Sequence, residues 1–178
     1  IKWFKKILLD KYFRKEIKDL RKEPENKLID YLGWHKQNED NYFVGLPLLS
    51  GRLSGKKKSL IRDLVKENDL DLRLTPNQDI LLCNIPNKNK NEIKKALKKI
   101  GYDNLNDINE IQRHALACPA LPLCGLAMTE AERILPEVLT RIENLLTDMN
   151  IEKTILFRMT GCPNGCTRPY MAELALVG

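Results

Sequence analysis

Apolar positions recur along the chain with two periods, about 3.6 and about 2, and these lay out its elements. From Lys2 to Leu20, Trp3, Phe4, Ile7, Leu8, Phe13, Ile17 and Leu20 fall at helical spacing and predict an amphipathic helix that ends before Pro24. A basic amphipathic helix can lie on a membrane surface; a connecting helix packed on another domain is the favoured reading. Asn41–Leu49 alternates, with Tyr42, Val44, Leu46 and Leu48 on one side, and predicts a strand followed by a Ser50-Gly51 turn. Lys57–Glu67 places Leu60, Ile61, Leu64 and Val65 inward on a helix. Asp71–Thr75 predicts a short strand, Pro76-Asn77 a turn and Asp79–Ile85 another strand. Asn89–Ile100 predicts a helix closing at Gly101, the usual residue past a helix end. Strand, helix, strand, strand, helix begins a ferredoxin-like split unit, so an α+β fold is expected.

The pattern changes after that unit. Tyr102–Ala117 reads as a link. Thr129-Glu130-Ala131-Glu132 has the form of a capping box. It predicts a helix running to about Met149 and burying Ile134, Val138, Ile142 and Leu145, with Pro136 bending it or shifting its start. Thr154–Met159 and Glu173–Val177 predict two strands flanking a loop. Three regions follow: a connecting helix over 1–30, the ferredoxin-like unit over 31–103, and a helix and strand region over 104–178.

Length allows one sizeable domain or two small ones in 178 residues. The chain starts at Ile1 and stops just after an apolar run, which gives the expectation of a segment cut from a longer polypeptide. No stretch approaches the roughly 20 apolar residues of a membrane-spanning helix. Net charge is +6, with Lys and Arg interspersed among Asp and Glu. That alternation fits solvated helix faces better than a nucleic-acid stripe, so neither nucleic acid nor membrane is expected as a partner.

The cysteines change the picture most. Five are present, and four form two pairs: Cys118 and Cys124 in C-P-A-L-P-L-C, Cys162 and Cys166 in G-C-P-N-G-C. Gly161, Gly165 and Pro163 let the second loop turn both sulfurs to one side. Four thiolates can hold an iron–sulfur cluster or a zinc ion. The spacing departs from the usual zinc knuckles, and nothing in the sequence suggests the oxidising compartment that disulfides need. Unligated buried thiols complete the alternatives. Cys83, alone in the apolar run I-L-L-C-N-I, reads as a small core residue. His114 stands four residues before Cys118, but four cysteines already satisfy a cluster, so no ligand role is assigned to it.

The surroundings of these cysteines narrow the field. A-C-P-A-L-P-L-C-G-L-A-M-T-E-A-E-R and R-M-T-G-C-P-N-G-C-T-R-P-Y-M-A-E-L-A-L-V-G closely resemble the C-terminal half of assimilatory sulfite reductases, best the ferredoxin-dependent type of cyanobacteria and plastids. L-G-W-H at 32–35, S-G-R-L at 50–53 and R-L-T-P-N-Q at 73–78 extend the resemblance, from about Tyr31 to the end.

The resemblance implies a [4Fe–4S] cluster on Cys118, Cys124, Cys162 and Cys166, with Cys166 also ligating the iron of siroheme. It implies six-electron reduction of sulfite to sulfide, reduced ferredoxin as electron donor, and a cytoplasmic or plastid-stromal enzyme, with a monomer expected. It also implies that the Arg and Lys residues gripping sulfite lie mainly in a half upstream of this segment. No catalytic residue is therefore nominated here, and the segment alone is expected to be inactive. Asn164 and Arg168 are the candidate cofactor contacts, and Arg158 and Arg52 are further partners for siroheme carboxylates. Backbone N–H groups of Asn164, Gly165 and Thr167 are candidate donors to the cluster. Leu121, Leu123, Leu126 and Met159 are candidates to keep water from it. Nitrite reductase of the same superfamily and a non-catalytic four-cysteine zinc module are the alternatives. C-P-A-L-P-L-C and R-P-Y favour the sulfite enzyme over the nitrite enzyme.

Overall fold

The computed structural model describes residues 2–13, 30–105 and 108–178. The chain opens with an α-helix, α1 (Lys2–Leu8), that continues as a π-helical turn over Leu9–Phe13 and leaves Trp3 and Phe4 exposed. The remainder of the helix expected to Leu20 lies outside the described residues.

Strands β1 (Gly33–Lys36), β2 (Asn41–Leu46), β3 (Asp71–Leu74) and β4 (Ile80–Pro86) form one antiparallel sheet in the order β1-β2-β4-β3. Helix α2 (Gly55–Glu67) links β2 to β3, and β4 fills the slot between them, which is the split arrangement the element order implied. Helix α3 (Lys90–Ile100) follows β4 and ends at Gly101, whose φ of 94° only glycine adopts without strain. Ile61 and Leu64 of α2 and Ile93 and Leu97 of α3 pack with Val44, Leu46 and Leu82 of the sheet as one core. Full burial of each such side chain is worth about 1.5–3 kcal/mol. Alternation fails once, at Asn84, which takes a left-handed φ of 61° beside a register shift opposite Tyr42 and Val44. The side chain of Gln37 exchanges hydrogen bonds with Asn84 there, so the irregular strand keeps its polar groups paired.

A second sheet is parallel: β5 (Leu116–Ala117), β6 (Phe157–Thr160) and β7 (Leu174–Val177), with β6 in the middle. Helix α4 (Glu110–His114) leads into β5 from an Asn109 cap that accepts the Gln112 N–H. Helix α5 (Leu135–Asp148) connects β5 to β6 and covers Phe157 and Met159. β1 and β5 are short strands that the sequence pattern did not separate from their surroundings.

Helix α5 corrects two expectations. Thr129 caps nothing: its backbone N–H donates to Gly161, and the Glu132 carboxylate is taken by Arg52. The helix starts at Leu135, with Pro136 in its first turn where a missing N–H costs nothing. Its inner face is Leu135 and Leu139, flanked by Val138, Ile142 and Leu146, while Ile134 and Leu145 are exposed. The later start rotates the buried stripe by one position.

Candidate functional site

Parallel pairing decides where the cysteines go. Strands β5 and β6 run side by side, Ala117 opposite Met159, and Cys118 continues the ladder by donating its N–H to the Met159 carbonyl. Cys118 and Cys162 therefore leave the same end of the sheet, the carboxyl end at which open parallel sheets place their sites. The loop after β6 is itself the crossover to parallel β7, so its length is set by the need to return to the same edge.

Gly161 locks the two loops together. Its N–H donates to the Cys118 sulfur at 3.3 Å, and its carbonyl accepts from Met128 at 2.7 Å and Thr129 at 3.2 Å. A Cβ at this position would stand 2.7 Å from the Ala120 side chain and 2.8 Å from the Thr129 carbonyl, so only glycine permits the approach. The Thr160 hydroxyl lies 3.7 Å from the Cys118 sulfur and 3.3 Å from the Cys162 carbonyl. Both groups can donate to the Cys118 sulfur. Sequence reasoning assigned neither role, although T-G-C carried both residues.

Cys118 and Cys162 are buried, Cys124 is half-buried and Cys166 is exposed, and all are free thiols. Among the described residues, no three side chains of His, Cys, Asp or Glu converge on one point as a single metal ion requires. A zinc module needs four sulfurs about 2.3 Å from one ion. A cubane instead offers four irons at separate corners, so its ligands stand further apart. The donor set, four thiols on two interlocked loops with N–H and O–H donors aimed at sulfur, has the chemistry a [4Fe–4S] group uses.

The turn between Cys162 and Cys166 spends the Gly165 N–H on the Cys162 carbonyl at 3.5 Å, which corrects its assignment as a free donor. Asn164 is exposed beside it. Thr167 is buried, its hydroxyl donating to the Met159 carbonyl at 3.2 Å. Arg168 takes a left-handed φ of 58° and donates to the Pro76 carbonyl at 3.3 Å, tying this loop to the first sheet. Leu123 and Leu126 are exposed among the described residues, and Met159 is buried.

Three arginines were expected near an anionic cofactor, and they differ. Arg52 is engaged, forming a two-point pair with Glu132 at 2.5 and 2.7 Å. Arg158 is buried, donates to the His114 and Phe157 carbonyls, and has no carboxylate within ion-pair distance among the described residues. Burial, and then the nearby Arg168, push its pKa below the usual guanidinium value. Arg158 and Arg168 line a cleft of about 260 Å³ with Asp79, Leu81, His114 and Met171. Burial also lowers the His114 pKa. Buried positive charge facing an open cleft suits an anion.

An antiparallel ferredoxin-like sheet joined to a parallel sheet with paired cysteine loops defines the class. Residues 35–100 match the model of the nitrite/sulfite reductase ferredoxin-like half-domain family. Within that class the similarity is to sulfite reductases. The protein of Synechococcus elongatus named sulfite reductase [ferredoxin] is 44% identical over an alignment 178 positions long that covers 97% of this chain and 28% of that protein. The NADPH sulfite reductase hemoprotein beta-component of Methylocella silvestris is 40% identical over 84% of this chain and 27% of its own length. The solved structure of the Mycobacterium tuberculosis NirA protein matches with a TM-score of 0.66 at 25% identity, over 93% of this chain and 31% of that one. The chain thus spans under a third of the length of these relatives. Among the described residues no helix is long and apolar enough to cross a membrane.

Proposed function

We propose that this chain is the segment of a ferredoxin-dependent sulfite reductase that carries a [4Fe–4S] cluster on Cys118, Cys124, Cys162 and Cys166. In the same reading Cys166 also ligates siroheme iron. The observation that carries it is the interlock of the two cysteine loops through Gly161, in a chain 44% identical to a protein named sulfite reductase [ferredoxin]. When bound, the two centres would relay, one at a time, the six electrons from reduced ferredoxin that convert sulfite to sulfide. The whole reaction belongs to the longer protein, with sulfite as substrate and ferredoxin as donor. The ferredoxin form is favoured because that relative aligns over 97% of the chain, against 84% for the NADPH form.

The chain's own residues have distinct parts in this reading. Gly161 and Thr160 donate hydrogen bonds to the Cys118 sulfur. Phe157 and Met159, both buried, exclude water behind the loops. Cys166 is exposed, which suits a sulfur presented to a second centre. Arg158 and Arg168 offer guanidinium groups to siroheme carboxylates, and Asn164 borders the same face. The division into 1–30, 31–103 and 104–178 follows, with the middle region bracing the last. We place the protein in the cytoplasm or the plastid stroma, as a monomer.

Purified protein should be coloured, should contain iron and acid-labile sulfide, and should show coupling between the two centres by Mössbauer spectroscopy. Cys166→Ser should abolish that coupling. Intact coupling in Cys166→Ser with loss in Cys162→Ser would move the bridge to Cys162. A colourless protein holding one zinc would discard the reading. Faster reduction of nitrite than of sulfite by the full-length protein with reduced ferredoxin would reassign the substrate.

A further inference from the structure

The turn between β3 and β4 reaches out of the ferredoxin-like unit and touches both cysteine loops. It is rigid. The Thr75 hydroxyl accepts from Asn77 and Asp79 N–H groups, the Thr75 N–H donates to the Asp79 carbonyl, and Gln78 donates back to the Thr75 carbonyl. Gln78 takes a left-handed φ of 68°, and the space beside it is closed by Gly51, where a Cβ would meet the Gln78 Cβ at 3.2 Å. The Asp79 carboxylate fastens the base of the turn by accepting the Leu48 N–H at 3.1 Å.

Two contacts leave this turn. The Gln78 side-chain amide donates to the Ala117 carbonyl at 3.1 Å, and the Pro76 carbonyl accepts from Arg168 at 3.3 Å. Ala117 precedes Cys118 directly, and Arg168 follows Cys166 by two residues. The Ala117–Cys118 peptide is thereby held on both edges, by Gln78 on its carbonyl and by the Met159 carbonyl on its N–H. The Cys118 carbonyl accepts from Glu132 as well. Cys118 has little freedom left before any ligand arrives.

We propose that Gln78 is a positioning residue for the thiol site, presetting Cys118 while Pro76 presets the loop of Cys166, so that the ferredoxin-like unit is a working part of that site. This rests on the cluster reading given above. The bond is neutral and partly buried. Its loss should raise the frequency of local opening at Cys118 about fivefold, the equivalent of one ordinary hydrogen bond.

The test separates the brace from the cluster. In the metal-free chain, iodoacetamide labelling followed by peptide mass spectrometry gives a rate for each thiol. Gln78→Met keeps the side chain's length and removes the donor. Gln37→Met removes comparable bonds from the far side of the same sheet and serves as the control. We expect about fivefold faster labelling of Cys118 in Gln78→Met, with Cys83 unchanged, and a wild-type Cys118 rate in Gln37→Met, whose lost bonds lie beside Cys83. An unchanged Cys118 rate in Gln78→Met, an equal rise at Cys83 in that variant, or an equal rise at Cys118 in Gln37→Met overturns the proposal. If Gln78→Met does not fold, Gln78→Glu, which also loses the donor when ionised, gives the same reading. Iron and sulfide uptake by the wild-type chain is measured separately. Its failure would sink the cluster reading and leave the brace to be judged by the thiol rates.

Discussion

The backbone N–H of Gly161 donates to the sulfur of Cys118 across 3.3 Å, joining residues 43 apart in the chain. The bond exists because two parallel strands end together and because position 161 has no side chain. Gly161→Ala would drive a Cβ against the Ala120 side chain and the Thr129 carbonyl. The loops would have to part. We expect a loss of about 2–3 kcal/mol, at the upper end for overpacking because one obstacle is backbone. Denaturant unfolding of the variant beside wild type measures it, and iron uptake should fall in parallel.

Cys83 offers the contrast to the paired thiols. It is buried on β4 outside the first core cluster, and burial raises its thiol pKa. Cys83→Ala should cost about 1 kcal/mol of packing and leave bound iron at the wild-type level. Cys118→Ala, Cys124→Ala and Cys162→Ala should each lose most of the iron, since ligand bond and loop closure go together. Iron analysis of the purified variants decides. Retention of iron in Cys118→Ala with loss in Cys83→Ala would reverse the ligand assignment.

Asp79 should make the fold less stable as pH rises. Burial raises its carboxyl to about 6 from 3.8, the Leu48 N–H opposes that, and Asp30 adds a smaller upward push. The folded chain therefore binds this proton more tightly than the unfolded chain does. The carboxyl's contribution is most favourable below about pH 4 and is lost progressively up to about pH 6. Asp79→Asn keeps an acceptor for Leu48 and carries no charge. It should be about 2 kcal/mol more stable than wild type near neutral pH and no more stable at about pH 4. Urea unfolding of both proteins at the two pH values checks the difference.

Arg158 should matter for binding more than for folding. Its burial without a carboxylate partner among the described residues is costly, and its two carbonyl bonds are favourable. Arg158→Met should therefore change the stability of the metal-free chain by less than about 1 kcal/mol, as these terms offset. Siroheme retention should drop about tenfold, the loss of one charge-assisted hydrogen bond. Thermal unfolding and absorption after gel filtration report the two effects separately.

Much of the first sheet was legible in the sequence. The alternation of Val44, Leu46, Ile80 and Leu82 and the helical spacing of Ile61, Leu64, Ile93 and Leu97 all reach the core, because one-sided burial imposes a period. Short strands carried no such signal. Leu116–Ala117 is too brief to show a period, and its pairing with Met159 comes from a distant segment. The capping motif at Thr129 was overridden because Gly161 took its backbone N–H and Arg52 took Glu132. Tertiary partners outbid local ones where both use the same groups.

The sequence by itself determined the paired thiols, the glycines and prolines that bend their loops, and the apolar periods of the ferredoxin-like unit. Those are properties of neighbours in the chain, and local geometry is enough to express them. Tertiary structure alone decided which backbone amide faces the Cys118 sulfur, which arginine is buried, and that Gln78 meets Ala117. Each of these depends on strands far apart in sequence lying side by side. A hydrogen bond or a buried charge is fixed by distance in space, and a linear pattern does not encode that distance.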